Sequence, residues 1–162
     1  MTDKSTIPNT DWAFPTQVRF GPGRASKLPE MCRELDIAKP LLVTDSGIAA
    51  LPMTVAILDS CRAAGLGVAL FSDVQANPVE RNVTDGTATF QAGGHDGVIA
   101  LGGGSSLDVG KAVALMAGQN YPLRELTIAS FQDFTEVQSK LVTGGLAPVI
   151  TVPTTSGTGS EL

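Results

Sequence analysis

The residues best placed to do chemistry are Gly102-Gly103-Gly104-Ser105-Ser106-Leu107-Asp108, with Lys111 one turn further on. The apolar run at 98–101 reads as a buried strand, and the glycines after it strip Cβ atoms from the turn. Backbone N–H groups can then approach a ligand closely. A helix starting there aims unsatisfied amide donors and the positive end of its dipole at the same point. An anion suits such a place, a phosphate above all. A second loop, Pro153-Thr154-Thr155-Ser156-Gly157-Thr158-Gly159-Ser160-Glu161, offers a row of hydroxyl donors with two glycines to free the backbone. Two phosphate-friendly loops in one short sequence point to a nucleotide.

Each of these features also has a purely structural reading. The first loop lacks the G-x-G-x-x-G spacing, and Lys111 is too far downstream for a P-loop lysine. Ser105 and Asp108 have the S-x-x-D spacing of a helix-capping pair, which needs no ligand. Asp45 follows the apolar run 41–44, at the carboxyl end of a strand, where ligands bind in open parallel sheets. A carboxylate there can accept hydrogen bonds from both ribose hydroxyls. Equally, Asp45-Ser46-Gly47 reads as a helix-opening turn. Ser/Thr/Gly runs are commonly flexible connectors, yet the second loop follows a buried strand and a proline. His95 is the only histidine, and one imidazole cannot build a metal site.

The elements that must position these residues follow from the pattern of apolar runs. With 162 residues, 43% hydrophobic and 17% charged, the chain fits one folded domain with an aliphatic core. The net charge of −5 argues against the basic face that nucleic acid requires. Cys32 and Cys61 have no zinc-type spacing and read as reduced core residues of a cytoplasmic protein. The first residues lack the apolar stretch of a signal peptide, and no run is long enough for a membrane span.

Short apolar runs alternate with amphipathic helices, the pattern of a parallel α/β sheet. Residues 16–20 read as an edge strand. Leu28, Met31, Cys32 and Leu35 mark one helix face, with Pro29 in its first turn. After the strand 41–44, Pro52 opens a helix that buries Ile57, Leu58 and Cys61 and ends at Gly65. A strand at 67–71 precedes Asn77-Pro78, read as cap and first residue of a helix with Val79, Val83 and Phe90 inward. In the helix after the glycines, Val109, Ala112, Val113 and Met116 form the inward stripe, and small residues such as Gly110 permit close packing. Short helices are expected at 123–126 and 131–141, and a last strand at 149–152. Stopping directly after a ligand-type loop, the sequence reads as a larger protein cut short.

Taken together, the Gly102–Lys111 motif and the 153–161 loop resemble the iron-containing (group III) alcohol dehydrogenases. Phe20-Gly21-Pro22-Gly23, Val43-Thr44-Asp45 and Asn77-Pro78 fall in the order that family uses. The resemblance covers essentially the whole chain. It implies that 1–162 is the N-terminal dinucleotide-binding domain of a two-domain enzyme: a Rossmann-like parallel sheet with flanking helices and an N-terminal edge strand. An all-helical metal-binding domain is expected downstream. By the same resemblance Gly102, Gly103, Gly104 and Ser105 hold the pyrophosphate of NAD, and Asp45 the adenosine ribose. Thr154, Thr155 and Thr158 line the path to the nicotinamide, and Asp108 belongs to the same cofactor motif. The divalent metal, iron or zinc, is expected only in the full-length enzyme. The implied partner is a small alcohol or aldehyde, with no nucleic acid or membrane, in a homo-oligomer such as a dimer. The competing reading is a stand-alone nucleotide- or phosphate-binding module without catalysis.

Overall fold

The computed structural model describes residues 16–126 and 142–161. Four of the apolar runs become strands: β1 (Pro40–Asp45), β2 (Ala69–Val74), β3 (Gly97–Gly102) and β4 (Val149–Pro153). They form one parallel sheet in the order β2-β1-β3-β4. The inner strands β1 and β3 are near-continuously apolar because both of their faces are covered. Leu41, Val43, Val98 and Ala100 pack beneath α4 (Glu80–Gly93) and α5 (Gly104–Met116). Leu42, Ile99 and Leu101 face the other way, toward α1 (Leu28–Glu34) and α3 (Pro52–Ala63). Fully burying one such side chain contributes about 1.5–3 kcal/mol, so this double layer supplies most of the drive to fold.

α3 and α5 follow the expected faces, whereas in α1 Leu28 and Cys32 are buried but Leu35 lies past the helix end and is exposed. Pro29 lies in the first turn of α1, and Pro52 opens α3 with Ile57, Leu58 and Cys61 buried. Val109, Val113 and Met116 point inward from α5. A Cβ at Gly110 would lie 2.5 Å from Ala100 Cβ, so the absence of a side chain sets how closely α5 approaches β3. The short helix at Leu123–Leu126 is a 3-10 turn. The expected helix at 131–141 lies outside the described residues.

Three expectations are corrected. Residues 16–20 form no strand, and Val18 and Phe20 are 70% and 95% exposed. Strand-type residues become a strand only where a neighbouring backbone completes the ladder, and the described chain gives this segment none. It is tied to α1 instead by the Arg19 guanidinium, which binds both oxygens of Glu34. The second strand begins at Ala69 rather than Gly67, because the Gly67 N–H bonds to the Ala38 carbonyl and pairing starts at Leu41–Ala69. Asn77 does not cap α4. It takes a left-handed φ of 55°, and the helix starts at Glu80. The Asn82 carboxamide closes that end, accepting the Val79 N–H at 3.0 Å and donating to the Asp73 carbonyl at 2.7 Å. Val79 is consequently exposed.

Candidate functional site

From β1 the chain goes to β2 on one side of the sheet, then returns past β1 to form β3 on the other. The carboxyl ends of β1 and β3 therefore flank the point where strand order reverses. Crevices at such points are where open α/β sheets bind ligands. Asp45 ends β1, and Gly102, Gly103 and Gly104 lead from β3 into α5.

Asp45 does what a helix-opening turn requires. Its Oδ1 accepts the N–H groups of Gly47 and Ile48 at 2.9 and 3.0 Å, capping the short helix α2 (Ser46–Ala49). Its Oδ2 faces the Ser106 hydroxyl, 3.4 Å away across the strand gap. The capping reading is thus realised, and it leaves one carboxylate oxygen turned toward the glycine turn.

Gly102 has φ 144°, a conformation that L side chains rarely adopt, and a Cβ there would lie 2.6 Å from Ser106 Oγ. Gly103 occupies the cap position of α5, and no side chain closes that N-terminus. Ser105 and Asp108 therefore do not form the capping pair their spacing allows. The cap residue falls two positions earlier than that pattern needs, which places Ser105 inside the helix. A cleft of about 490 Å³ opens here, lined by Asp45, Ser46, residues 72–76 and residues 103–106. The bare helix N-terminus and the carboxylate thus share one wall-to-wall space.

The second loop approaches the glycine turn from the β4 side, with β3 between it and Asp45. Its first amide, Thr154 N–H, donates to the Gly102 carbonyl at 2.9 Å. A Cβ at Gly103 would sit 3.5 Å from Thr155 Oγ1, and one at Gly104 would sit 3.2 Å from both Thr158 Cβ and Ser160 Oγ. At the far end of the loop, Ser160 is buried and donates its hydroxyl to Asp108 Oδ2 at 3.0 Å. Lys111 Nζ donates to the Ser160 carbonyl at 3.0 Å and lies 3.5 Å from Asp108 Oδ1. The Glu161 carboxylate accepts the Thr158 N–H at 3.2 Å. Backbone donors, its own N–H first and that of Thr158 next, hold the Glu161 carboxyl below the usual carboxylate range.

The structure thus gathers Asp45, Gly103, Gly104 and Ser105 around one cleft, and sets Thr155 and Thr158 against the glycines. Asp108 lies a turn along α5 and faces Ser160 rather than the cleft. His95 sits at the other end of the sheet, with Nδ1 2.9 Å from the Lys39 carbonyl just before β1. Among the described residues no three His, Cys, Asp or Glu side chains are grouped to hold a metal ion. Sequence reasoning missed residues 72–76 and Ser106. Their signal was present: 72–76 make up the carboxyl end of β2 and the turn that leaves it, the end at which parallel sheets bind ligands.

A doubly wound parallel sheet with an uncapped glycine turn at its switch point defines a Rossmann-like α/β domain. The chain belongs to the iron-containing alcohol dehydrogenase family, whose model matches residues 15–162. It is 39% identical over 147 residues to a 4-hydroxybutyrate dehydrogenase of Cupriavidus necator, covering 91% of this chain and 36% of that protein. It is 34% identical over 154 residues to a 1,3-propanediol dehydrogenase of Klebsiella pneumoniae, covering 94% and 37%. The solved NADH-dependent butanol dehydrogenase A of Thermotoga maritima superposes with a TM-score of 0.79 at 27% identity, over 93% of this chain and 36% of that one. The chain thus spans little more than a third of the length of the relatives it matches.

Proposed function

We propose that this chain is the NAD-binding part of a metal-dependent alcohol dehydrogenase. The observation that carries the reading is the shared cleft between the Asp45 carboxylate and the side-chain-free N-terminus of α5. The cradle fits a dinucleotide: Gly103 and Gly104 line the cleft with bare backbone, and the position a Cβ would take at Gly104 is filled by Thr158 and Ser160. The backbone amides and dipole of α5 supply the charge complement. Asp45 accepts the hydroxyls of the adenosine ribose through the oxygen not used for capping. Gly102 shapes the turn, Ser105 adds an amide and a hydroxyl on its first helical turn, and Thr154, Thr155 and Thr158 border the path of the nicotinamide. Bound NAD supplies a hydride acceptor at C4 of its nicotinamide ring. The work of these residues is to bind and orient that ring. The butanol dehydrogenase that matches this fold is described as NADH-dependent, which supports the same cofactor here.

The residues described do not fit the family's divalent metal, since no ligand group converges among them. In this reading iron or zinc is held by a downstream helical domain, and the alcohol or aldehyde pocket is completed there. The assembled enzyme is a cytoplasmic homo-oligomer such as a dimer. No helix among the described residues is long and apolar enough to cross a membrane.

Calorimetric titration of the purified chain with NAD and with NADP tests the proposal. Weak NAD binding and weaker NADP binding are expected, because a 2′-phosphate carries about −2 charge toward the Asp45 carboxylate. A folded chain that takes up no NAD would contradict it. Alcohol-dependent NADH production should be absent from the chain alone and should appear with the downstream half.

A further inference from the structure

Asp108 and Lys111 lie in the glycine-loop motif, yet their observed partner is the second loop. Ser160 is the one described residue between 154 and 161 that is buried. Its hydroxyl reaches Asp108 Oδ2 at 3.0 Å and its carbonyl receives Lys111 Nζ at 3.0 Å. The two side chains are one turn apart on α5 and lie 3.5 Å from each other. Together they grip the hydroxyl and the carbonyl of a single residue 49 or more positions away. The first residue of the loop is held independently, by Thr154 N–H on the Gly102 carbonyl. Between these anchors the loop turns through Gly157 and Gly159, both at positive φ, with Thr155 and Thr158 held against Gly103 and Gly104.

We propose that Asp108 and Lys111 are positioning residues that clamp Ser160, fixing the 154–161 loop against the glycine turn so that the nicotinamide half of the cofactor meets a formed wall. The proposal rests on the NAD reading of the cleft. The adenosine diphosphate half needs only Asp45 and the α5 N-terminus, whereas the rest of the cofactor extends toward the clamped loop. Loss of the clamp leaves the first half of the site intact and lets the second half move. A charge-assisted hydrogen bond is the strong kind, so cutting it should be readable as a change in affinity.

The test compares NAD and ADP binding by calorimetry for the wild-type chain, Ser160→Ala, Asp108→Ala and the double variant. Each single variant should lose about tenfold in NAD affinity and keep its ADP affinity, and the double variant should lose no more than either single. Hydrogen exchange of amides 154–161 should rise in the same variants while the strands stay protected. Ser160→Ala removes a single hydroxyl, so it keeps the test informative should Asp108→Ala fold poorly. Equal losses for NAD and ADP, or no loss of NAD affinity, would overturn the clamp. A wild-type chain that binds neither ligand would instead overturn the cofactor reading on which it stands.

Discussion

Ser106 Oγ lies 3.4 Å from Asp45 Oδ2, joining the first turn of α5 to the end of β1 across 61 residues of sequence. This contact spans the switch point of the sheet. It puts one carboxylate oxygen beside the helix N-terminus while the other caps α2. Asp45 thus carries two duties on separate oxygens, and substitutions can separate them.

Asp45→Asn keeps a good capping oxygen but removes the charge. Its thermal stability should stay near wild type, and its discrimination against NADP should shrink. Asp45→Ala loses the cap as well and should cost about 1 kcal/mol of stability along with NAD affinity. Chemical denaturation and calorimetry on both variants check the pair.

Gly102 and Gly103 should respond oppositely to substitution. Gly102→Ala forces a side chain into φ 144° and onto Ser106, so the fold should lose about 1–3 kcal/mol. Gly103 has φ −77° and ψ −176°, which a β-branched residue adopts, and the space around its Cβ is ordinary. Gly103→Val should therefore unfold near the wild-type midpoint while losing NAD binding. Urea unfolding read beside NAD titration distinguishes a structural glycine from a cradle glycine.

Much of this architecture was legible from residue patterns. Runs such as Leu41–Leu42–Val43 and Val98–Ile99–Ala100–Leu101 are apolar on both faces, and only inner strands of a covered parallel sheet need that. The strand-end position of Asp45 followed from the same logic. What escaped depended on which partner each group meets once the chain is folded. Residues 16–20 have strand-type side chains but no ladder, which sequence cannot reveal. Asn77-Pro78 has the composition of a cap, but Asn82 closes α4 from within the helix. Asp108 read as a capping or cofactor residue because Ser160, its partner, lies 52 positions away.

Both cysteines should be inert in the native protein. Cys32 and Cys61 are fully buried, and burial pushes the Cys32 thiol up to about 12 and raises Cys61 as well. Neither thiolate is populated at neutral pH. Labelling with a thiol-reactive disulfide should yield no fast-reacting group in buffer and two after denaturation.

Acid should loosen the second loop. The Glu161 carboxyl is held below its ordinary value of 4.5 in the folded chain. Its contribution is therefore fully present above that value and is lost as pH falls through the depressed folded one. The protection of the Thr158 amide, relative to its intrinsic exchange rate, should fall across that acidic window, and Glu161→Gln should flatten the dependence.

The proposed NAD site at the switch point between β1 and β3 underlies the predictions on Asp45 and Gly103. Titrating NAD into the ¹⁵N-labelled chain and following amide resonances tests it most directly. Shifts should concentrate at Asp45, Ser46, Gly103, Gly104, Ser105 and Ser106, with a second set at Thr154, Thr155 and Thr158. An unchanged spectrum, or shifts confined to the opposite end of the sheet around Lys39 and His95, would contradict it.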